Sequence, residues 1–215
     1  MIDNVKCVVF DNDGTIADTS DLIVPCMHYA TEKVLGKTWP DEFCSSMIGI
    51  PLADQAKHYT DNPELQDELC RVYRERNEEF HDSLIKKFPG CKEALAEMSA
   101  AGLTLAVATS KLRTVCNRGL QILEIKEYMN TVVGAEDTER HKPFGDPIVY
   151  TAEQLGFTVD QCAYVGDAPF DMRAAKDAHV TAVGVTWGFY DEQILIDEHA
   201  DYICHDFREL ANLFL

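Results

Sequence analysis

Pairs of acidic residues follow two short apolar runs that lie far apart in the chain. Asp11 and Asp13 come directly after the run Cys7–Phe10, and Asp167 comes two positions after the run 162–165. Short unbroken apolar runs are typical of buried parallel strands, and open α/β sheets bind ligands at the carboxyl ends of such strands. Residues two apart in an extended chain project to the same side, so we expect Asp11 and Asp13 to face one pocket.

The second pair is completed by Asp171, four residues after Asp167. A helix that began near Asp167 would place both side chains on one face. Acidic residues also favour helix N-termini for electrostatic reasons alone, but that preference does not explain carboxylate pairs at two separate strand ends. Because closely spaced carboxylates disfavour each other's ionisation, they indicate a hard cation, of which Mg²⁺ is the simplest choice.

Two further segments of the sequence carry groups that could bind an anion. Thr109, Ser110 and Lys111 come after the strand candidate 104–108 and offer hydroxyls, a helix N-terminus and an ammonium group. Lys142 lies in a polar loop just before a predicted helix. Each of these features is common in proteins without such a site, and only their combination with the acidic pairs points to phosphate chemistry.

The four segments together resemble the motifs of the haloacid-dehalogenase-like hydrolase superfamily, in the same order and across nearly the whole chain. The matching segments are Asp11-Asn12-Asp13-Gly14-Thr15, then Thr109, then Lys142-Pro143, and finally Gly166-Asp167 with Asp171. The resemblance implies a Rossmann-like α/β fold and a phosphatase of the phosphoglycolate-phosphatase-like branch.

Roles for individual residues follow from this resemblance. It implies that Asp11 is the nucleophile that forms an aspartyl phosphate and that Asp13 is the general acid and base. It further implies that Thr109, Ser110 and Lys142 bind the transferring phosphoryl group. An aspartate at position 13 is the pattern of the superfamily's phosphatases and phosphomutases, so a haloacid substrate is disfavoured.

The resemblance also implies a set of Mg²⁺ ligands. They are the Asp11 side chain, the main-chain carbonyl of Asp13 and the Asp167 side chain, with Asp171 acting directly or through water.

Strand candidates and helical patterns predict a core that is interrupted by an insertion. The candidates lie near residues 5–10, 104–108, 131–134, 162–165 and 180–185. They alternate with helical patterns after residue 90, which predicts βαβ units, a central parallel sheet and a three-layer core formed by residues 1–15 and 88–215. One helix start is expected at a particular residue: Asp146 would cap the helix that Pro147 opens.

The interval 16–87 reads as helical throughout, with its longest amphipathic pattern over residues 64–84. Pro40 and Pro51 each suit a helix's first turn, so three or four helices fit, and residues 86–90 form the expected hinge. The resemblance identifies this interval as a small all-helical cap, inserted after the first strand, that opens and closes over the site.

One loop of this interval, residues 46–52, resembles the cap loop that approaches substrate in phosphoglycolate-phosphatase-like proteins. Ile48 and Gly49 are therefore candidate specificity residues, with a plain interhelical turn as the alternative. Charged cap residues that could face the site are left unassigned individually: Lys57, Arg74, His28, His58 and His81.

Composition excludes several classes of partner. The chain has 215 residues and a formal net charge of −18, which argues against binding of nucleic acids or anionic membranes. Its eight cysteines are scattered without C-x-x-C spacing, which disfavours zinc and redox motifs.

With no signal-peptide pattern and no membrane-length apolar run, we expect a cytoplasmic protein, either a monomer or a homodimer.

The sequence thus predicts a Mg²⁺-dependent phosphatase that hydrolyses a small phosphorylated metabolite similar to phosphoglycolate. Pyrophosphate, sugar phosphates and nucleotides remain alternative substrates. A different class, the phospho-accepting receiver domain of signalling proteins, also gathers acidic residues, a hydroxyl and a lysine around Mg²⁺. A receiver would carry its acceptor on a middle strand of the sequence and would lack a helical insertion after the first strand.

Overall fold

The apolar run Cys7–Phe10 forms the strand at the middle of the molecule, and each of its four residues is 0 % exposed. The computed structural model describes residue 2 and residues 4–215; Met1 and Asp3, which belong to the predicted core range 1–15, lie outside the described residues. The strands are β1 (Cys7–Phe10), β2 (Ala17–Asp18), β3 (Lys86–Lys87), β4 (Thr104–Ala108), β5 (Met129–Val133), β6 (Cys162–Gly166), β7 (Thr181–Val185) and β8 (Tyr202–Cys204).

Among the described residues, six of these strands form one parallel sheet in the order β5-β4-β1-β6-β7-β8. The helices are α1 (Ser20–Leu35), α2 (Asp41–Ser45), α3 (Leu52–Ala56), α4 (Pro63–Leu84), α5 (Cys91–Ala100), α6 (Arg113–Ile122), α7 (Asp146–Leu155), α8 (Pro169–Asp177), α9 (Glu192–Asp197) and α10 (Phe207–Phe214).

Both faces of the sheet are covered by helices. Alternate residues of β1 face opposite sides and pack against different helices. Val8 and Phe10 pack into a cluster with apolar residues of α5, α6 and α10. Cys7 and Val9 pack into a second cluster with residues of α7, α8 and α9. This arrangement confirms the predicted three-layer α/β fold with a central parallel sheet.

Helices α1 to α4 lie between β1 and the rest of the sheet in sequence and share a cluster of their own that includes Met27, Leu69 and Val72. Helix α4 begins where the Asn62 side chain accepts a hydrogen bond from the Glu64 N–H at 2.9 Å. The division of the chain into a core and a cap at residues 16–87 stays a prediction. No helix in the described part of the chain is long and apolar enough to cross a membrane.

Several local predictions for the insertion need correction. The interval is not helical throughout, because β2 and β3 pair antiparallel at its two ends, with Ala17 opposite Lys87. Lys86 and Lys87, two residues of the predicted hinge, form one strand of this pair. Pro40 and Pro51 are the residues that precede α2 and α3 rather than members of their first turns.

Two predicted helix starts in the core are wrong as well. Helix α8 begins at Pro169 and not at Asp167, because the residue before a proline is kept out of the helical region and Ala168 is extended. Helix α7 is preceded by Gly145, so Asp146 is its first residue rather than its cap. The edge strand β8, three residues long, escaped prediction because only Cys204 of it is buried.

Candidate active site

Three neighbouring strands deliver the predicted site residues to one edge of the sheet. Asp11 follows β1, Thr109 follows β4 and Asp167 follows β6, and β4 and β6 are the two hydrogen-bonded neighbours of β1. Because all three strands are parallel, their carboxyl ends meet at this edge. Lys142 reaches the same place from the loop between β5 and α7.

The acidic residues converge in the interior. Asp11, Asp167 and Asp171 are each at most 2 % exposed, and one carboxylate oxygen from each lies within 4.8 Å of the others. Asp167 stands in the turn after β6 and Asp171 in the first turn of α8, so they meet although they do not share a helix face as predicted.

A single lysine lies among these carboxylates. The Lys142 ammonium donates a hydrogen bond to Asp171 Oδ1 at 2.7 Å, and its Nζ lies 2.9 Å from Asp11 Oδ1. Burial by itself would lower the pKa of Lys142, but Asp11 and Asp171 hold that pKa well above its ordinary value. Lys142 is therefore charged at neutral pH, and one positive charge faces three carboxyl groups.

The pKa values of two of these carboxyl groups are raised. Burial raises the pKa of Asp11 to about 6, against the opposing charge of Lys142. Burial, followed by the charge of Asp171, raises the pKa of Asp167 well above its ordinary value. Ionised carboxylates in this position need a further cation nearby.

The arrangement fits a hard divalent cation. The contact of Lys142 with Asp11 Oδ1 lacks hydrogen-bond geometry, so this buried oxygen accepts no hydrogen bond from the described residues. The donor set of three carboxylates is the oxygen-only type that Mg²⁺ prefers. The ligand set implied by the family resemblance, including the main-chain carbonyl of Asp13, stays a prediction.

Backbone and side-chain donors fix the orientation of Asp167. Thr15 Oγ1 donates to Asp167 Oδ1 at 3.0 Å, and the Phe189 N–H donates to Asp167 Oδ2 at 2.8 Å. A Cβ atom at Gly14 or at Gly188 would overlap the Asp167 carboxylate. The chain therefore needs glycine at both positions to let the backbone come this close.

Asp171 is held in a similar way. The Ala168 N–H donates to its Oδ2 at 3.0 Å, and a Cβ atom at Gly166 would overlap its side chain. Asp167 and Asp171 are thus each oriented by one main-chain N–H together with side-chain donors, Thr15 for Asp167 and Lys142 for Asp171.

Asp13 stands apart from this cluster and lines the neighbouring cavity together with Asp11. Its side chain is 14 % exposed, and its Oδ1 accepts a hydrogen bond from the Lys111 ammonium at 2.6 Å. A carboxylate with access to the cavity is suited to exchange a proton with a bound ligand.

The residues after β4 serve two purposes. Thr109 is buried, lines the cavity, and its hydroxyl accepts a hydrogen bond from the Lys111 N–H at 3.3 Å. The Ser110 hydroxyl donates to the main-chain carbonyl of Gly49 at 2.7 Å, so it contacts the loop between α2 and α3. Phosphate binding by Thr109 and Ser110 stays a prediction.

That loop covers the sheet edge. Ile48 and Gly49 line the cavity, which has a volume of about 630 Å³ and lies between the helical insertion and the carboxyl ends of β1 and β4. The Tyr190 hydroxyl donates to the Ile48 carbonyl at 3.0 Å, which adds a second contact between the loop and the core. The structure thus brings both candidate specificity residues to the cavity.

A sequence model of the haloacid dehalogenase-like hydrolases matches residues 8–185 of the chain. The chain belongs to this family. A Caldanaerobacter subterraneus subsp. tengcongensis protein that carries the name PpaX is 36% identical over 210 residues, which are 97% of this chain and 94% of that protein. Pyrophosphatase PpaX of Bacillus velezensis is 31% identical over 209 residues, covering 97% of this chain and 96% of the relative.

The fold is that of solved members of the family. The crystal structure of a predicted phosphoglycolate phosphatase from Haemophilus somnus 129PT superimposes with a TM-score of 0.91 at 22% identity and covers 100% of both chains. Family membership confirms the resemblance and identifies the protein as a haloacid dehalogenase-like phosphatase. It also excludes the receiver-domain alternative.

Some residues of this phosphatase site were not predicted. Phe189 and Tyr190 come from the segment after β7, where only Gly188 gave a signal, since glycine after a strand can mark a close backbone approach. Trp187 belongs to the same segment. Its indole N–H donates to the Thr15 carbonyl at 2.9 Å, so it supports the residue that holds Asp167.

Proposed function

We propose that this haloacid dehalogenase-like phosphatase hydrolyses a small phosphomonoester through an aspartyl phosphate on Asp11, with Mg²⁺ as cofactor. The observation that supports this most directly is the buried group of Asp11, Asp167, Asp171 and Lys142 at the carboxyl ends of β1 and β6. Phosphoryl transfer demands positioning and charge stabilisation above all, and this group offers both.

In the first step, a carboxylate oxygen of Asp11 forms a bond to phosphorus, and the bond between phosphorus and the leaving oxygen breaks. Asp13 gives its proton to that leaving oxygen. In the second step, Asp13 takes a proton from water as the water oxygen attacks phosphorus, and the bond to Asp11 breaks to release inorganic phosphate. One difficult displacement is thereby divided into two easier ones.

The remaining groups bind and neutralise the phosphoryl oxygens. Lys142 and Thr109, together with Ser110, are the proposed ligands of the phosphoryl group. The carboxylates of Asp11 and Asp167, the Asp13 carbonyl and Asp171 would hold Mg²⁺, which supplies charge neutralisation at the phosphoryl oxygens when bound.

Residues 16–87 would act as the cap of this enzyme, and residues 1–15 and 88–215 as its core. Closure of the cap would exclude water during the first step, when water would compete with Asp11 as the nucleophile. The contacts of Ser110 with Gly49 and of Tyr190 with Ile48 support a closed arrangement of this kind.

For the substrate we favour a small phosphorylated metabolite that resembles phosphoglycolate. Inorganic pyrophosphate is the principal alternative, because the Bacillus velezensis relative is named a pyrophosphatase. The net charge of −18 favours neither nucleic acids nor anionic membranes as partners. All eight cysteines are unpaired and buried, which is compatible with the cytoplasmic location expected from the sequence.

The test is phosphate release from 4-nitrophenyl phosphate with Mg²⁺, compared between the wild type and Asp11→Asn. We expect the variant to lose at least about 10⁴-fold in kcat, since an amide cannot act as the nucleophile. Acid quenching should trap a phosphorylated protein in the wild type and none in the variant. Chelation of Mg²⁺ should abolish release in the wild type.

Asp191→Asn is the matched control, because Asp191 is an exposed aspartate at the start of α9 and its side chain makes no capping hydrogen bond. It should keep wild-type activity. Undiminished turnover of Asp11→Asn would overturn the proposed mechanism.

A further inference from the structure

Arg74 on α4 is exposed and lines the cavity above the proposed active site. Within the described part of the chain it forms neither an ion pair nor a side-chain hydrogen bond, although the protein is strongly acidic. Most other arginines pair with aspartate or glutamate, as Arg71 does with Glu68 and Arg118 with Asp82. Arg74 therefore offers a guanidinium group that is free to bind a ligand in the cavity.

Apart from Asp11 of the buried cluster, the carboxylates that line the cavity already have partners. Asp13 is bound by Lys111, Glu75 by Arg71, and Glu78 by Arg118. Glu136 accepts hydrogen bonds from the Arg113 N–H at 3.1 Å. Of the arginine and lysine side chains that line the cavity, Arg74 is thus the one without an acidic partner in the described part of the chain.

The surroundings of Arg74 favour binding of an anion. Cys70, one turn earlier on α4, contacts the Leu52 carbonyl with its sulfur at 3.8 Å, which places this part of the helix beside α3. Ile50 and Leu52 line the same cavity, and so does Asn77, which is only 8 % exposed and lies about one turn after Arg74 on α4. Ion pairs beside apolar groups are screened less than in open water.

We propose that Arg74 binds a second anionic group, a carboxylate or a phosphate, on the leaving group of the substrate. A guanidinium presents paired donors that match either group, and a neutral leaving group would gain nothing from it. A local cation is also needed to attract a polyanionic substrate against the net charge of −18. This inference rests on the proposed function and narrows its substrate class.

The experiment compares substrates with and without a second anionic group on a leaving group of similar reactivity. Phosphoglycolate is paired with 2-hydroxyethyl phosphate, in which CH₂OH replaces the carboxylate, and pyrophosphate is paired with 4-nitrophenyl phosphate, whose leaving group is comparably good and carries no second phosphate. We expect the wild type to favour the anionic member of at least one pair by about 10-fold or more in kcat/KM. The two pairs distinguish a carboxylate from a phosphate as the recognised group.

Arg74→Met should lower kcat/KM for the favoured anionic substrate by about 10- to 100-fold and change its neutral counterpart by less than about 3-fold. Arg74→Lys should keep part of the preference, because it keeps the charge but not the paired donors. Arg208→Met is the matched control: Arg208 is an exposed arginine on α10 that does not line the cavity, so the preference should be unchanged.

Two outcomes would overturn the assignment and are distinguishable. If the wild type hydrolyses both members of each pair equally, or if Arg74→Met slows all four substrates alike, only the role of Arg74 fails. If the wild type releases no phosphate even from 4-nitrophenyl phosphate with Mg²⁺, the proposed function fails as well. Unchanged thermal unfolding of Arg74→Met would show that a loss of selectivity is not a loss of fold.

Discussion

The sheet edge and the helical insertion hold their cavity residues in different ways. At the sheet edge, main-chain N–H groups of Ala168 and Phe189 orient the buried carboxylates, and glycines bring the backbone against them. On the insertion, Arg74 is exposed and makes no ion pair within the described residues. The acidic cluster is therefore fixed by the fold itself, while Arg74 on the insertion is an exposed side chain that can be exchanged at small cost in stability.

The hydrogen bonds between the sheet edge and the insertion also involve the main chain of the loop and not its side chains. Ser110 and Tyr190 of the core donate their hydroxyls to main-chain carbonyls of Gly49 and Ile48. A carbonyl is present whichever residue occupies a position, so closure of the loop does not depend on the loop's own side chains. Those side chains are free to determine which leaving group fits.

The largest effect predicted from this comparison belongs to Asp13→Asn. Removal of a general acid and base typically costs about 10²–10⁴-fold, and we expect kcat to fall by that factor for every substrate alike. Thermal unfolding should be unchanged, because Asp13 lies at the cavity and not in the buried cluster. A loss confined to one substrate would place Asp13 in recognition and not in chemistry.

A smaller loss is expected for Gly188→Ala, which tests whether the main chain orients the cluster. The added Cβ would overlap the Asp167 carboxylate, so Asp167 must move. Displacement of a catalytic group by about 1 Å can cost about 10²-fold, and we expect a loss of that order in kcat. The Mg²⁺ concentration for half-maximal activity should rise in parallel.

The matched control is Gly119→Ala on α6. There the nearest atoms to an added Cβ lie 3.5 Å away in the His81 ring, which is an ordinary contact. This variant should keep the wild-type Mg²⁺ dependence. An unaltered Mg²⁺ dependence in Gly188→Ala would contradict the proposed role of Asp167 as a ligand.

The sheet-edge cluster was the more predictable of the two regions. Unbroken apolar runs such as Cys7–Phe10 identify buried parallel strands, and a residue that directly follows such a strand must emerge at its carboxyl end. Asp11, Thr109 and Asp167 could therefore be brought together from sequence alone. The predicted start of α8 lies two residues too early, because Pro169 keeps Ala168 extended.

The cavity wall could not be predicted to the same degree. Periodicity identifies the apolar face of a helix such as α4, but Arg74 lies on the polar side, where the sequence does not say which residues face solvent and which face a neighbouring element. Lys57 and Arg74 were equivalent candidates in the sequence. In the structure Lys57 pairs with Asp54, and Arg74 lines the cavity. Packing of the insertion against the core, which depends on distant contacts, makes this distinction.

The smallest predicted effects are those of Tyr190→Phe and Ser110→Ala, which each remove one hydroxyl contact with the loop. A single hydrogen bond contributes about 1 kcal/mol, so each variant should lose about 5-fold in kcat/KM if closure is its only role. Ser110 is also a predicted phosphate ligand. If it binds phosphate as well, Ser110→Ala should weaken competitive inhibition by inorganic phosphate, while Tyr190→Phe should leave that inhibition unchanged. Equal effects on phosphate inhibition would restrict Ser110 to the loop contact and leave Thr109 and Lys142 as the proposed phosphate ligands.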